Sequence, residues 1–411
     1  MTTPWRCRTA YLVSKYPDVS HTFILREVLA LRERGIAIDV ASINAAPPPA
    51  QLTGLERREA QTTFYVKPQG ALGALRGLLW AVSKTPRGVL RGLTFCLQLS
   101  RGEPRRAMLH LAYLAEALIL GRWMEQRGLT HVHVHFATPA ATVALLLNRV
   151  TKVSFSLTVH GPDEFFDVER YALKQKLTSA RFAIAISYFA QSQMMKLTAP
   201  ECWSKFEISR LGVDSTQFQP RSFRKDPSPF RVLCVGRLVA AKGQRILLEA
   251  VAQLRNQGRD VQLRLVGGGP DRASLEQAAA ALRLGKAVEF AGAVNQDHIR
   301  AFYESADAFA LASFAEGIPV VLMEAMAMGI PCVATSIAGI GELIHDGVDG
   351  LLVAPSNVEG LATALAQLMD SADLRKRLGQ AGRRRVQRDY ELSVSADALA
   401  KLLQRRLGAD A

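Results

Sequence analysis

With 411 residues, 49% of them apolar and 21% charged, the chain is longer than a single hydrophobic core usually supports and too apolar to remain disordered. A formal net charge of +14 points to polyanionic partners such as nucleotide phosphates or anionic lipid. The five cysteines (Cys7, Cys96, Cys202, Cys234 and Cys332) are scattered without a Cys-x-x-Cys pair, which excludes the usual zinc and redox motifs and suits a reducing compartment.

Taken in chain order, the apolar run at residues 9–14 is too brief for a signal-peptide core and reads as a first strand over residues 10–13. A second strand is predicted at residues 38–43. Residues 67–106 then carry Arg76, Lys84, Arg87, Arg91, Arg101 and Arg105 against the single acid Glu103, interleaved with Leu78, Leu79, Trp80, Leu93 and Phe95. Basic amphipathic helices of this kind lie on anionic membranes or present a plain solvated face. The longest apolar stretch, residues 108–123, is broken by His110, Glu116 and Arg122 and falls short of the ~20 residues of a membrane span. No transmembrane helix is expected, so the predicted location is the cytoplasm, with any membrane contact peripheral on its inner face.

Further strands are predicted at residues 131–136, 154–159 and 182–186. His131, His133 and His135 alternate along one of them and share a face, but no carboxylate or cysteine stands at ligand spacing beside them, so a metal centre is not expected. His160, Gly161, Pro162 and Asp163 follow the next strand. Their place at its C-terminal end is where parallel sheets bind ligands. A polar stretch with Pro220, Pro227 and Pro229 reads as a linker, and the alternation then restarts with strands at residues 232–235, 262–266, 288–290, 308–311, 332–334 and 350–353. The expected organisation is an N-terminal domain over residues 1–213, a linker at 214–230, a second domain at 231–389, and a terminal helix at 390–411 packing back on the first domain. Both domains read as doubly wound parallel sheets.

Three stretches of the second half carry chemistry. Gly236, Arg237 and Lys242 lie in a short loop after a strand, where a guanidinium fork and an ammonium can clamp a diphosphate. Gly267, Gly268 and Gly269 form a strand-to-helix turn beside it. Arg272 stands where a dinucleotide fingerprint needs its last glycine, which disfavours a nicotinamide enzyme. Finally Glu316, Gly317, Ile318 and Pro319 precede a helix containing Glu324. Pro319 suits a first helical turn, Gly317 permits close approach to a ligand, and the two carboxylates sit at different depths for the hydroxyls of a ribose or hexose.

In this order the segments resemble the GT-B family 4 of retaining nucleotide-sugar glycosyltransferases: the His-Gly-x-Asp loop at 160–163, a domain-closing strand at 209–214, the phosphate clamp of Arg237 and Lys242, and the Glu-x7-Glu pair of Glu316 and Glu324. The resemblance implies an α/β GT-B fold of two Rossmann-like domains facing each other across a cleft. It implies that Arg237 and Lys242 bind the donor diphosphate, that Glu324 binds ribose, that Glu316, Gly317 and Ile318 meet the sugar and phosphates, and that His160 lies beside the sugar. Transfer would retain configuration and use no metal or other cofactor. Residues 14–24 resemble the subgroup that builds exopolysaccharides such as colanic acid, which puts Ser20, His21, Thr22 and Asp163 on the acceptor side and makes a glycan or polyprenyl-diphosphate-linked sugar the expected acceptor. Nucleic acid is not an expected partner. Two positions depart from the pattern: His21 replaces a usual Glu, and Ala338-Gly339 replaces a usual Gly-Gly before Glu342. Rival readings are a GT-B sugar epimerase or phosphorylase and a non-catalytic nucleotide-sugar-binding protein.

Overall fold

Short apolar runs bounded by glycine and polar turns become parallel strands buried on both faces. The computed structural model describes residues 8–18 and 22–408. It divides into two units, Met1–Ser209 with Ala396–Ala411, and Arg210–Ser395. The first holds β1 (Arg8–Lys15), β2 (Ala37–Asn44), β3 (Phe64–Tyr65), β4 (His131–His135), β5 (Ser154–Val159), β6 (Phe182–Ala185) and β7 (Phe206–Ile208). They form one parallel sheet in the order β3-β2-β1-β4-β5-β6-β7. Side chains alternate between its faces. Tyr11 and Val13 pack with Val28 and Leu31 of the Thr22–Glu33 helix, whereas Ala10 and Leu12 join a separate core with Val134, Leu145 and Leu157. Leu399 and Leu403, from the Leu392–Leu407 helix, belong to the first of these cores, and Arg406 pairs with Glu207 at 2.6 Å.

The second unit holds β8 (Phe230–Val235), β9 (Val261–Val266), β10 (Val288–Gly292), β11 (Ala308–Leu311), β12 (Cys332–Thr335) and β13 (Leu351–Val353). These too are all parallel, in the order β10-β9-β8-β11-β12-β13.

Three readings of the sequence change in detail. The strands β3 and β7 are two and three residues long, too short to show a period. The stretch 209–214, read as a strand, carries only an isolated bridge from Val213 to Glu391, and the paired segment is β7 just before it. The polar stretch at 214–230 is packed against the second unit. There Asp307 is buried and needs donors, which come from Arg224 Nη1 at 3.0 Å and the Arg231 amide at 2.9 Å. Arg224 thus serves a buried carboxylate, and Arg221 donates to the Asp307 backbone carbonyl at 3.2 Å. Among the described residues no helix is long and apolar enough to cross a membrane, and Cys96, Cys202, Cys234 and Cys332 are free thiols, with Cys7 outside the described residues.

Candidate active site

In the second sheet β8 has β9 on one side and β11 on the other, so the chain reverses its winding between β8 and β11 and opens a crevice beyond their C-terminal ends. The loops that follow these strands line it. After β8, Gly236 leads into Arg237 and a short turn over Ala240–Lys242. After β11 comes the loop that bears Ser313 and Glu316. Backbone bonds stitch the two loops together: the amides of Phe314 and Ala315 both donate to the Ala241 carbonyl, at 2.8 and 3.3 Å. The Thr335 hydroxyl at the end of β12 fixes the Ser313 carbonyl at 2.6 Å.

The side chains then meet. Lys242 Nζ lies 2.5 Å from Glu316 Oε1, and Ser313 Oγ donates to the same oxygen at 2.7 Å. Glu316 is only 6% exposed, so the ammonium and the hydroxyl offset much of the cost of burying its charge. Arg237 is exposed and makes no ion pair among the described residues. Gly236 lies against the Lys242 stem, where a Cβ would come within 3.8 Å of Cε. Beside them Gly267 has φ +148°, and a Cβ there would sit 1.9 Å from the Gly236 carbonyl oxygen, so only glycine lets the turn after β9 approach the β8 loop this closely. The Leu238 amide then donates to the Gly268 carbonyl at 2.9 Å.

The helix after the Glu316 loop, Val320–Ala327, has no side-chain cap at its N-terminus. Pro319 is the residue before its first turn, one position earlier than the sequence suggested. A helix N-terminus with uncapped amides favours an anion. Ile318 is buried, so it can offer a ligand only its backbone. Glu324 is 1% exposed and accepts from the Tyr303 hydroxyl at 3.0 Å.

The first sheet has the same reversal, between β1 and β4. Here the chemistry is buried. His131 is bracketed by Ser154 and Ser156, and His133 by Ser156 and Thr158, all at 2.7 to 2.8 Å. His135 Nδ1 lies 3.0 Å from His160 Nε2, and its Nε2 lies 3.2 Å from Glu27 Oε1, which accepts from the Tyr11 hydroxyl. Burial, with Arg181 nearby, holds the His131 imidazole down to about 3, and burial keeps His133 well below its usual range. The loop bearing His160 is fixed from below by Glu164, whose carboxylate accepts from the amides of Ala137, His160 and Gly161, the last at 2.9 Å. Burial pushes this carboxyl up to about 7 and the neighbouring Lys176, which donates to the Ala137 carbonyl at 2.7 Å, down to about 7. Among the described residues no cluster of His, Cys, Asp or Glu could hold a metal ion.

The model of the family Glycosyl transferases group 1 matches residues 215–385, which carry the crevice after β8 and β11. The amylovoran biosynthesis glycosyltransferase AmsK of Erwinia amylovora is 31% identical over 97% of this chain and 99% of its own length. The chain belongs to the group 1 glycosyltransferases. A protein assigned to colanic acid biosynthesis in Escherichia coli K12, the glycosyltransferase WcaL, is 29% identical over 97% of this chain and 99% of its own. Among solved structures, sucrose-phosphate synthase from Thermosynechococcus elongatus shares the fold with a TM-score of 0.77 at 19% identity, covering 99% of this chain and all of the other. Anabaena HepE in complex with UDP-glucose does so with a TM-score of 0.73 at 17% identity, covering 97% and 99%. The fold is therefore GT-B, with two Rossmann-like units, and the enzyme is a transferase of the hexosyl type.

In this glycosyltransferase the residues singled out by sequence fall into three groups. Gly236, Arg237, Lys242, Gly267, Gly268, Glu316, Gly317, Ile318, Pro319 and Glu324 all lie on the loops or first helix at the C-terminal ends of the second sheet. His160 and Asp163 lie at the end of β5, with His160 buried and Asp163 exposed, and Thr22 opens the Thr22–Glu33 helix. Ser20 and His21 lie outside the described residues. Ser313, Tyr303, the loop-fixing role of Glu164 and the Glu27–His135 contact escaped the sequence reading. Ser313 and Glu164 had a local signal, being three residues before Glu316 and three after Gly161, where side chains reach backbone or each other across one turn. Tyr303 and Glu27 had none, since they meet Glu324 and His135 only through the fold.

Proposed function

We propose that this glycosyltransferase moves a hexosyl group from a nucleoside diphosphate sugar, held by the second unit, to a lipid-linked glycan in exopolysaccharide assembly. The observation that carries the donor site is the Lys242–Glu316 pair beside Arg237, which is exposed and without an ion pair among the described residues, at the β8/β11 crevice. A diphosphate entering there meets the exposed Arg237 guanidinium and a second cation whose carboxylate can turn to a sugar hydroxyl. Donor binding is further supported by HepE, solved with UDP-glucose, and an acceptor on lipid by a 28% identical mannosyltransferase of Mycolicibacterium smegmatis named for phosphatidylinositol monomannoside. The names of AmsK and WcaL support the exopolysaccharide setting.

The chemistry is read as retaining and metal-independent. The bond from the anomeric carbon to the diphosphate breaks with its electrons passing to the leaving oxygen, where Arg237, Lys242 and the Val320–Ala327 helix N-terminus stabilise the growing charge. The acceptor oxygen bonds to the same face of that carbon, and its proton passes to the departing diphosphate. Glu324 would hold the ribose hydroxyls, Glu316 and the Gly317–Ile318 backbone the sugar and phosphates. His160 would lie beside the donor sugar as a catalytic residue, and Asp163, Thr22, Ser20 and His21 are assigned to the acceptor side. The test is transfer of labelled hexose from UDP-, GDP- and ADP-sugars to a chloroform-extractable lipid fraction, with and without chelator. Label in lipid from one donor, insensitive to chelator and with the α-linkage of the donor, is the expected result. Release of free sugar or sugar phosphate in place of lipid product would overturn it.

A further inference from the structure

Between β3 and β4 the chain inserts three helices, Gly70–Lys84, Pro86–Ser100 and Pro104–Gln126. Helices of soluble proteins turn leucine inward and charge outward. The first two reverse that arrangement. On the Gly70–Lys84 helix the inward positions are small, Gly77 and Ala81, while Leu72, Leu75, Leu79 and Val82 recur at helical spacing on the outer face. Along the Pro86–Ser100 helix Gly88, Gly92, Cys96 and Ser100 face inward. A Cβ on Gly88 would fall 2.0 Å from the Val150 carbonyl oxygen, so this helix is seated by its glycines on the Pro139–Thr151 helix. Its outer face shows Leu90, Leu93 and Leu97. Leu79 is 62% and Leu90 64% exposed, and Met108 at the start of the third helix is 69% exposed. Trp80 and Phe95, which the sequence groups with these leucines, pack against the core instead.

So concentrated an apolar surface on one module marks a contact with something else. Charge says what. Within residues 67–106 the only acid is Glu103, and it is paired with Arg106 at 2.7 Å. Arg76, Arg87, Arg91 and Arg105 border the leucines, and among the described residues none of them has an ion-pair partner. Leucines flanked by unneutralised arginines match an interface that is apolar inside and anionic at its edge. We propose that the outer faces of the Gly70–Lys84 and Pro86–Ser100 helices dock the protein on an anionic bilayer leaflet, with leucine side chains among the acyl chains and arginines on the headgroup phosphates. The proposal does not rest on the transfer reaction, because lipid binding is read without donor or acceptor.

The experiment is co-sedimentation of the full chain with vesicles of phosphatidylglycerol and phosphatidylcholine, against phosphatidylcholine alone, at low and high salt. Wild type should bind the acidic vesicles, lose that binding as salt rises, and bind neutral ones far more weakly. Each of Arg76→Ser, Arg87→Ser and Arg91→Ser should weaken binding by roughly fivefold. Leu79→Ser with Leu90→Ser should weaken it by about tenfold or more, with an unchanged circular dichroism spectrum and thermal midpoint, since both side chains leave the core untouched. Equal binding to neutral and acidic vesicles would overturn the proposal, as would unchanged binding by folded leucine and arginine variants. A dimer of wild type in sedimentation velocity that the leucine double variant abolishes would overturn it too, assigning the face to a second copy of the chain.

Discussion

At the ends of β8 and β11 the Lys242–Glu316 pair stands beside exposed Arg237, whereas at the ends of β4 and β5 His135 and His160 are buried against each other. Both crevices arise from the same reversal of winding in a parallel sheet. The second sheet lines its crevice with Lys242, paired to Glu316, and with Arg237, which makes no ion pair among the described residues. The first places the His135–His160 contact at its crevice, while His131 and His133 lie farther back along β4, held by serine and threonine. The difference teaches that topology supplies a place and side chains decide its use. An ion pair beside an exposed cation suits an anionic ligand, while a buried, hydrogen-bonded array suits a rigid floor.

The sharpest way to break this contrast is to remove the paired cation. On the proposed mechanism, in which the ammonium faces charge growing on the leaving diphosphate, Lys242→Ala should lower kcat by ~10²-fold or more. Donor KM should change less. Steady-state kinetics with the preferred donor checks this, and a variant with wild-type kcat would show that the Lys242–Glu316 pair is merely structural.

The buried array is tested by acid. The imidazole of His131 is held down to about 3 and that of His133 well below 6.5, so their folded pKa values are depressed. Stability from such groups is complete above the unfolded value near 6.5 and is lost as pH falls below it, because the unfolded chain takes up protons that the folded one refuses. From pH 7.5 to 5.5 the two together should cost the first unit about 2.5 kcal/mol. Urea unfolding followed by a probe in that unit measures the loss, and the double variant His131→Asn with His133→Asn should flatten the slope. An unchanged slope in a folded double variant would show that the acid sensitivity lies elsewhere.

Smaller still is the effect expected at the deepest carboxylate. On the proposed ribose role, Glu324→Gln should raise donor KM by about tenfold with a lesser change in kcat, since a neutral amide accepts more weakly from hydroxyls held alike in ground and transition states. Isothermal titration with the nucleoside diphosphate alone should show the same loss, and unaltered affinity would remove Glu324 from the ribose role. This residue also marks how far the sequence could be read. Strands β1, β2, β4, β5, β6 and β8 to β13 were visible because an apolar run between turn residues is a local signal, and so were the loops bearing Arg237, Lys242 and Glu316. Tyr303, which holds Glu324, comes from a helix 21 residues upstream in sequence and shows no pattern of its own. Likewise the role of Arg224 had no signal, because a cation that serves buried Asp307 looks in sequence like any solvated linker charge.

The finest adjustment concerns Ala338, which adopts φ +42° in the loop after β12, a conformation glycine holds without strain. A residue with a Cβ pays about 1 to 2 kcal/mol to hold the left-handed region. Glycine escapes that strain but loses more backbone entropy on folding, which returns roughly 0.5 to 1 kcal/mol. The balance favours Ala338→Gly by about 0.5 to 1 kcal/mol, equivalent to a rise of about 2 °C in the melting temperature of the second unit. Because the methyl is only half-buried and the backbone already has the conformation glycine would take, donor KM should stay within about twofold of wild type. Differential scanning calorimetry with and without nucleoside diphosphate separates the two effects. A lower melting temperature would mean that the methyl packs more tightly than its strain costs. A higher one with weakened donor binding would mean instead that the strained loop is part of how the crevice is held ready.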